Sequence, residues 1–212
     1  MPIPDLEIRF ERLIHPESLI LGHGWVFLEP FSHSLKPIKL RRILFDDYSK
    51  QVIELEIFLE EEKANVFSKG KLSLSQKDFV LNEITRVLRL EEDFSDFLKV
   101  WEKENKNLSL PSPHAGALLR SPTVFEDVVK TICTTNCSWT NTRMMVSNLC
   151  KFGKGSFPSP KQIVEIGKGN LKEKVRAGYR ADYLFEFSKR VVDQELEPES
   201  WDTLNVGDSR RI

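Results

Sequence analysis

The chain reads as an α+β protein, with a sheet-containing N-terminal part followed by a helical domain. Three observations carry this. Residues 6–59 hold short alternating runs broken by turn signals. From residue 75 onward apolar residues recur at helical spacing. A stretch at 105–114, with Pro111 and Pro113, stands between two helical regions. The expected division is a sheet domain with two helices at 1–104, a linker at 105–114, a helical domain at 115–195 and an irregular tail at 196–212.

Each element follows from its local pattern. Leu6–Phe10 alternates, Gly24–Leu28 is a short aromatic run, and Ile38–Phe45 is apolar and basic by turns. Gln51–Leu59 is β-branched enough for a strand. Pro30, Ser32 to Ser34, Pro37 and Asp46-Asp47 mark turns between them. A helix is expected from Ser75, its N-cap, with Phe79, Ile84, Val87 and Leu88 near one face. A second, Phe94 to Glu104, repeats Phe94, Phe97, Leu98 and Trp101 at i, i+3, i+4, i+7, a stripe that reads as core. Helices follow at 122–134, 139–151 and 160–166, and a last one from Tyr179 turns Tyr183, Leu184, Phe187 and Val191 inward.

Composition excludes several classes. Forty per cent hydrophobic and 30% charged residues in 212 suit a globular chain with one or two cores. No apolar run approaches the ~20 residues that span a bilayer, so no membrane partner is expected. The first ten residues lack a basic segment followed by an apolar one, so an intracellular protein is expected. Cys133, Cys137 and Cys150 have no second pair and no nearby histidine, which points to reduced thiols and no metal. Charge is uneven. Residues 1–112 carry 16 Lys and Arg against 20 Asp and Glu, residues 113–190 carry 13 against 6, and residues 191–212 carry 2 against 6, for net charges of −4, +7 and −4. A basic segment between acidic ones can face a polyanion, and solvated helix faces produce the same excess.

The stretch "TICTTNCSWTNTR", residues 131–143, places short polar side chains and a tryptophan between two apolar helices. Thr134, Thr135 and Asn136 end one helix and cap the next, as such residues routinely do, or they present small polar groups to a ligand. His114 reads as surface decoration, and Lys151, Lys154 and Lys172 as solvated lysines able to meet phosphate.

"GALLRSPTVFEDVVKTICTTNCSW", "FPSPKQIVEI" and "AGYRADYLFEFSKRVV", in this order, resemble the helix-hairpin-helix DNA glycosylases of base excision repair, the plant-type members above all. Residues 20–45 resemble the start of their sheet domain, and the resemblance covers most of 20–195. It implies a partner, double-stranded DNA with a damaged base, hydrolysis of the N-glycosidic bond of a flipped nucleotide, no cofactor, and a nuclear location in a eukaryote. Extruding a nucleotide costs a few kcal/mol and leaves a gap to be filled. Asn136 matches the gap-filling asparagine, whose amide both donates and accepts. Tyr179 matches a wedge beside the flipped nucleotide, and Arg180 a group that contacts the orphaned base. Ser138 and Arg143, beside the first motif, are further candidate DNA-binding residues. The arginine of the 8-oxoguanine branch falls two positions before Arg143, where this chain has Asn141, which puts reading of an opposite cytosine in doubt.

The family's chemistry lies further on, in a paired-glycine hairpin and an aspartate that stabilises the oxocarbenium-like transition state. After Gly178 the one glycine is Gly207, and neither Asp202 nor Asp208 follows a hairpin. The residues in hand therefore read as the front two-thirds of a glycosylase, with an incomplete helical domain and no catalytic residue, expected to excise no base alone. The apolar faces of 122–151 and 179–192 are expected to lack partners and to need a covering protein. The alternative is a non-catalytic DNA- or protein-binding module built on the same fold.

Overall fold

The computed structural model describes residues 3–22, 24–104 and 117–203. Within them the chain divides into two compact units, residues 1–27 with 31–120, and residues 28–30 with 121–212.

The first unit is built on a five-stranded antiparallel sheet. Its strands are β1 (Leu6–Arg9), β2 (Phe31–Leu35), β3 (Ile38–Asp46), β4 (Gln51–Leu59) and β5 (Lys63–Ser68), in the order β1-β5-β4-β3-β2. Period-2 alternation puts Leu40 and Leu44 of β3, Ile53, Leu55, Ile57 and Leu59 of β4, and Ala64 and Val66 of β5 into one core. Two short helical segments precede β2, α1 (Pro16–Leu21) and a 3-10 turn (Gly24–Phe27), where the aromatic run had suggested a strand. Strand β2 forms at residues that read as a turn. As an edge strand it needs one partner, and Phe31 to Leu35 pair in register with Arg42 to Ile38.

Helix α2 (Leu74–Val87) covers the sheet core with Val80, Ile84 and Val87. Its N-cap is Ser73, not Ser75. The Ser73 hydroxyl accepts the Gln76 amide at 3.2 Å, and the Gln76 side chain returns to the Ser73 amide at 3.1 Å. The same Gln76 donates to Gln51 at 3.1 Å and to Ser49 at 3.3 Å, tying the helix start to the β3–β4 turn. Helix α3 (Ser95–Glu104) corrects a second expectation, since none of its residues is buried and Phe97 is 44% exposed. Helical spacing makes a stripe, but only a partner buries it, and here Phe94, just before the helix, is the aromatic that packs on the sheet core. The 105–114 linker and His114 lie outside the described residues. Ala117 and Leu119 belong to the sheet core, so the helical unit begins at Ser121 and not at 115.

The second unit holds α4 (Val124–Thr134), α5 (Trp139–Phe152), α6 (Pro160–Glu173) and α7 (Arg180–Val192), then a 3-10 turn (Pro198–Thr203). Thr123, Ser138 and Ser159 cap the first three through hydroxyls that accept the amide three residues on. Within α6 the backbone leaves helical angles at Gly167, φ 75° and ψ 154°, so the expected helix 160–166 ends there and a second helical segment runs on to Glu173. Helix α4 buries Lys130 beside Glu126 at 2.7 Å, with its ammonium 3.3 Å from the Ser121 hydroxyl. Residues 28–30 join this unit, and Glu29 accepts the Ser147 hydroxyl at 2.9 Å.

Within the tail expected to be irregular, the 3-10 turn Pro198–Thr203 packs on α4. The Glu199 carboxylate accepts the Val124 and Phe125 amides at 3.0 and 3.1 Å, closing orphan donors at the α4 N-terminus. Phe125 stacks on Phe187 at 5.4 Å, and Trp201 lies 6.4 Å from Phe187. The apolar faces of α4 and α7 thus find partners that the periodicity alone did not supply.

Candidate nucleic-acid interface

Two turns of the second unit meet, the α4–α5 junction at 135–138 and the turn at 174–179 that leads into α7. At the junction most polar side chains are used locally. Thr134 and Thr135 donate to the Thr131 and Ile132 carbonyls at 2.7 and 2.8 Å. Thr142, buried, donates to the Cys133 carbonyl at 3.1 Å, and the Cys137 sulfur lies 3.2 Å from both Thr142 Oγ1 and that carbonyl. Ser138 accepts the Asn141 amide at 3.3 Å. These contacts terminate α4 at Thr135 and start α5 at Ser138, so the stretch ends one helix as expected, but Ser138 and not Thr134, Thr135 or Asn136 caps the next.

Asn136 stands apart. Its backbone is left-handed at φ 45°, which asparagine tolerates better than most residues, and its side chain is exposed. The amide Nδ2 lies 3.5 Å from the Tyr179 hydroxyl, at the outer limit of a hydrogen bond. Tyr179 is delivered by Gly178, whose φ of +59° disfavours any side chain, and is 52% exposed. The Thr135 hydroxyl, and after it the Asn136 amide, hold its phenol below the usual tyrosine range.

Arg180 takes a different place from the one the resemblance implied. It is 7% exposed, its Nε donates to Thr135 Oγ1 at 3.2 Å, and a second guanidinium nitrogen donates to the Thr135 carbonyl. A cation suits the negative end of the α4 dipole better than the positive end of α7, where Arg180 begins. Its guanidinium also lies 4.6 Å from the Tyr179 ring centroid. In this structure Arg180 closes α4 and backs Tyr179, and does not reach outward to a base.

Arg143 is exposed on α5 and makes no ion pair among the described residues. Lys151 donates to Asn148 at 2.8 Å, and Lys154 and Lys172 are exposed. Tyr183, expected inward, is 62% exposed, with its ring edge-on to Tyr179 at 6.3 Å. Phase counted from Tyr179 would have found it, since i and i+4 share a helix face. Among the described residues no group of three His, Cys, Asp or Glu could hold a metal ion, and no helix is long and apolar enough to cross a membrane.

The fold is similar to that of a solved DNA glycosylase. The 3-methyladenine DNA-glycosylase from Archaeoglobus fulgidus matches it with a TM-score of 0.66 over 94% of this chain and 70% of that one, at 16% identity. A protein of Methanothermobacter thermautotrophicus named probable N-glycosylase/DNA lyase is 26% identical over 160 residues, 61% of this chain and 50% of the relative. The chain thus spans about half the length of that curated relative. No protein-family model matches the chain.

Proposed function

We propose that this chain is part of a DNA N-glycosylase of base excision repair, of the helix-hairpin-helix type. Its Asn136–Tyr179 surface engages the duplex at a flipped base. The observation that carries the reading is the pairing, on a glycosylase-like fold, of an exposed left-handed asparagine with an exposed tyrosine 3.5 Å away. An amide offers donor and acceptor to an orphaned base edge, and an aromatic ring fills the space a base vacates. The basic excess of residues 113–190, 13 Lys and Arg against 6 Asp and Glu, supports this. Arg143, Lys161, Lys172, Lys174 and Arg176 are all exposed on the second unit and make no ion pair among the described residues. Such cations would neutralise phosphates and make binding fall with salt. An intracellular location, nuclear in a eukaryote, goes with the reading, as does a protein partner on exposed apolar residues such as Val192.

The test is binding of the 212-residue chain to a duplex with one abasic-site analogue, against the intact duplex. Asn136→Gly keeps the backbone angle and removes the amide. It is expected to weaken abasic-duplex binding about tenfold, from loss of hydrogen bonds of about 1–3 kcal/mol. Unchanged affinity for Asn136→Gly and Tyr179→Leu would sink the reading. Incubated with duplexes carrying 3-methyladenine or 8-oxoguanine, the same chain is expected to release no free base, and release would show that the catalytic group lies within these residues.

A further inference from the structure

We propose that Tyr183 is a second base-stacking residue. With Tyr179 it forms an aromatic ledge that takes an unpaired nucleobase of a distorted duplex. This rests on the DNA-binding reading above and extends its surface by one helical turn. Four observations lead to it. Tyr179, the N-cap of α7 with helical backbone angles, and Tyr183 are i and i+4 and share a face, while Ala181, Leu184 and Ser188 point into the unit. The two rings meet edge to face, 6.3 Å apart at 88°. Both are more than half exposed, a large apolar area left in water. Tyr179 is fixed from behind by the Arg180 guanidinium and at its hydroxyl by Asn136, so the ledge has one anchored member and one open member.

The charges around the ledge select what it can bind. Asp182 lies between the two tyrosines in sequence, and Glu186 follows one turn beyond it, both exposed. Lys168 offsets Asp182 at 3.3 Å, with its ammonium 5.2 Å from the Phe185 ring centroid. Carboxylates at this spot disfavour phosphate and leave a neutral aromatic face, which suits the ring of a base. A base is favoured over a peptide because the ledge is continuous with the Asn136 amide, a donor and acceptor matched to base edges.

The experiment places 2-aminopurine opposite an abasic-site analogue in a short duplex and titrates it with the 212-residue chain, its Tyr183→Leu and Tyr183→Phe variants, and Tyr179→Leu. Base–aromatic stacking predicts that Tyr183→Leu binds the abasic duplex roughly 5- to 100-fold more weakly, with the intact duplex unaffected and 2-aminopurine quenching diminished. Tyr183→Phe keeps the ring and is expected to behave as the parent. Because Tyr183 is exposed, thermal unfolding of Tyr183→Leu should match the parent, which separates lost stacking from lost fold. The proposal is overturned if Tyr183→Leu binds and quenches as the parent while Tyr179→Leu is weakened, or if Tyr183→Phe fails as Tyr183→Leu does. A parent chain with no preference for the abasic duplex would overturn the DNA reading and this inference with it.

Discussion

At the scale of single residues, burial sets what each group can do. Cys133 is fully buried near Cys137 at the end of α4, and burial pushes its thiol up to about 12 from 9.0. A raised folded-state value means that the folded chain holds a proton which the unfolded chain releases. The stabilisation is complete below pH 9 and is lost as pH rises through 12, a window worth up to roughly 4 kcal/mol. Denaturant midpoints measured from pH 8 to pH 11 should therefore fall, and Cys133→Ala should flatten the slope. Arg180 makes the complementary point. A guanidinium beside "GY" in the sequence reads as a hand reaching to DNA, yet its donors fit the Thr135 carbonyl and hydroxyl across the junction. Nothing within four residues of Arg180 announces that partner.

Among the elements, the helices were legible, and their caps and the sheet only in part. Ser138 and Ser159 cap their helices with hydroxyls that accept amides three residues on, and such bonds are written in adjacent residues. Ser73 displaced the expected Ser75 because Gln76 completes a reciprocal pair with it. Strands β2 and β5 were not foreseen. "FSHSL" and "KANVFS" carry little apolar alternation, and their ladders come from β3, β4 and β1. The turn before α7 depends on one backbone angle. Gly178→Ala meets open space but a φ of +59°, and is expected to cost about 1–2 kcal/mol, read as a lower melting temperature with unchanged helix content.

For the molecule as a whole, segments distant in the chain complete each unit. Residues 28–30 belong with the helices, and Ala117 and Leu119 belong with the sheet core, so the unit boundary crosses the chain more than once. Glu199 and Trp201 return to α4 and Phe187, covering faces expected to be bare. Glu199→Ala leaves two amides at the α4 start without their acceptor and is expected to lower stability by about 0.5–2 kcal/mol in denaturant unfolding. A Glu195→Ala control should change it little, because its ion pair with Arg190 is exposed.

What the sequence determined by itself was whatever a residue settles with near neighbours. The helical stripes of α4 to α7, their serine and threonine caps, the left-handed tolerance of Asn136 and the glycine before Tyr179 are of this kind. The fold class followed from these stripes and the alternating runs of residues 6–59, whereas the candidate surface residues came from the family resemblance. Only the tertiary structure decided where the long side chains go. Arg180 turned inward to the end of α4, Tyr183 stayed in water beside Tyr179, α3 kept its stripe unburied, and Glu199 and Trp201 closed on α4 and Phe187. Each outcome depends on a group tens of residues away, and a local pattern carries no distance to it.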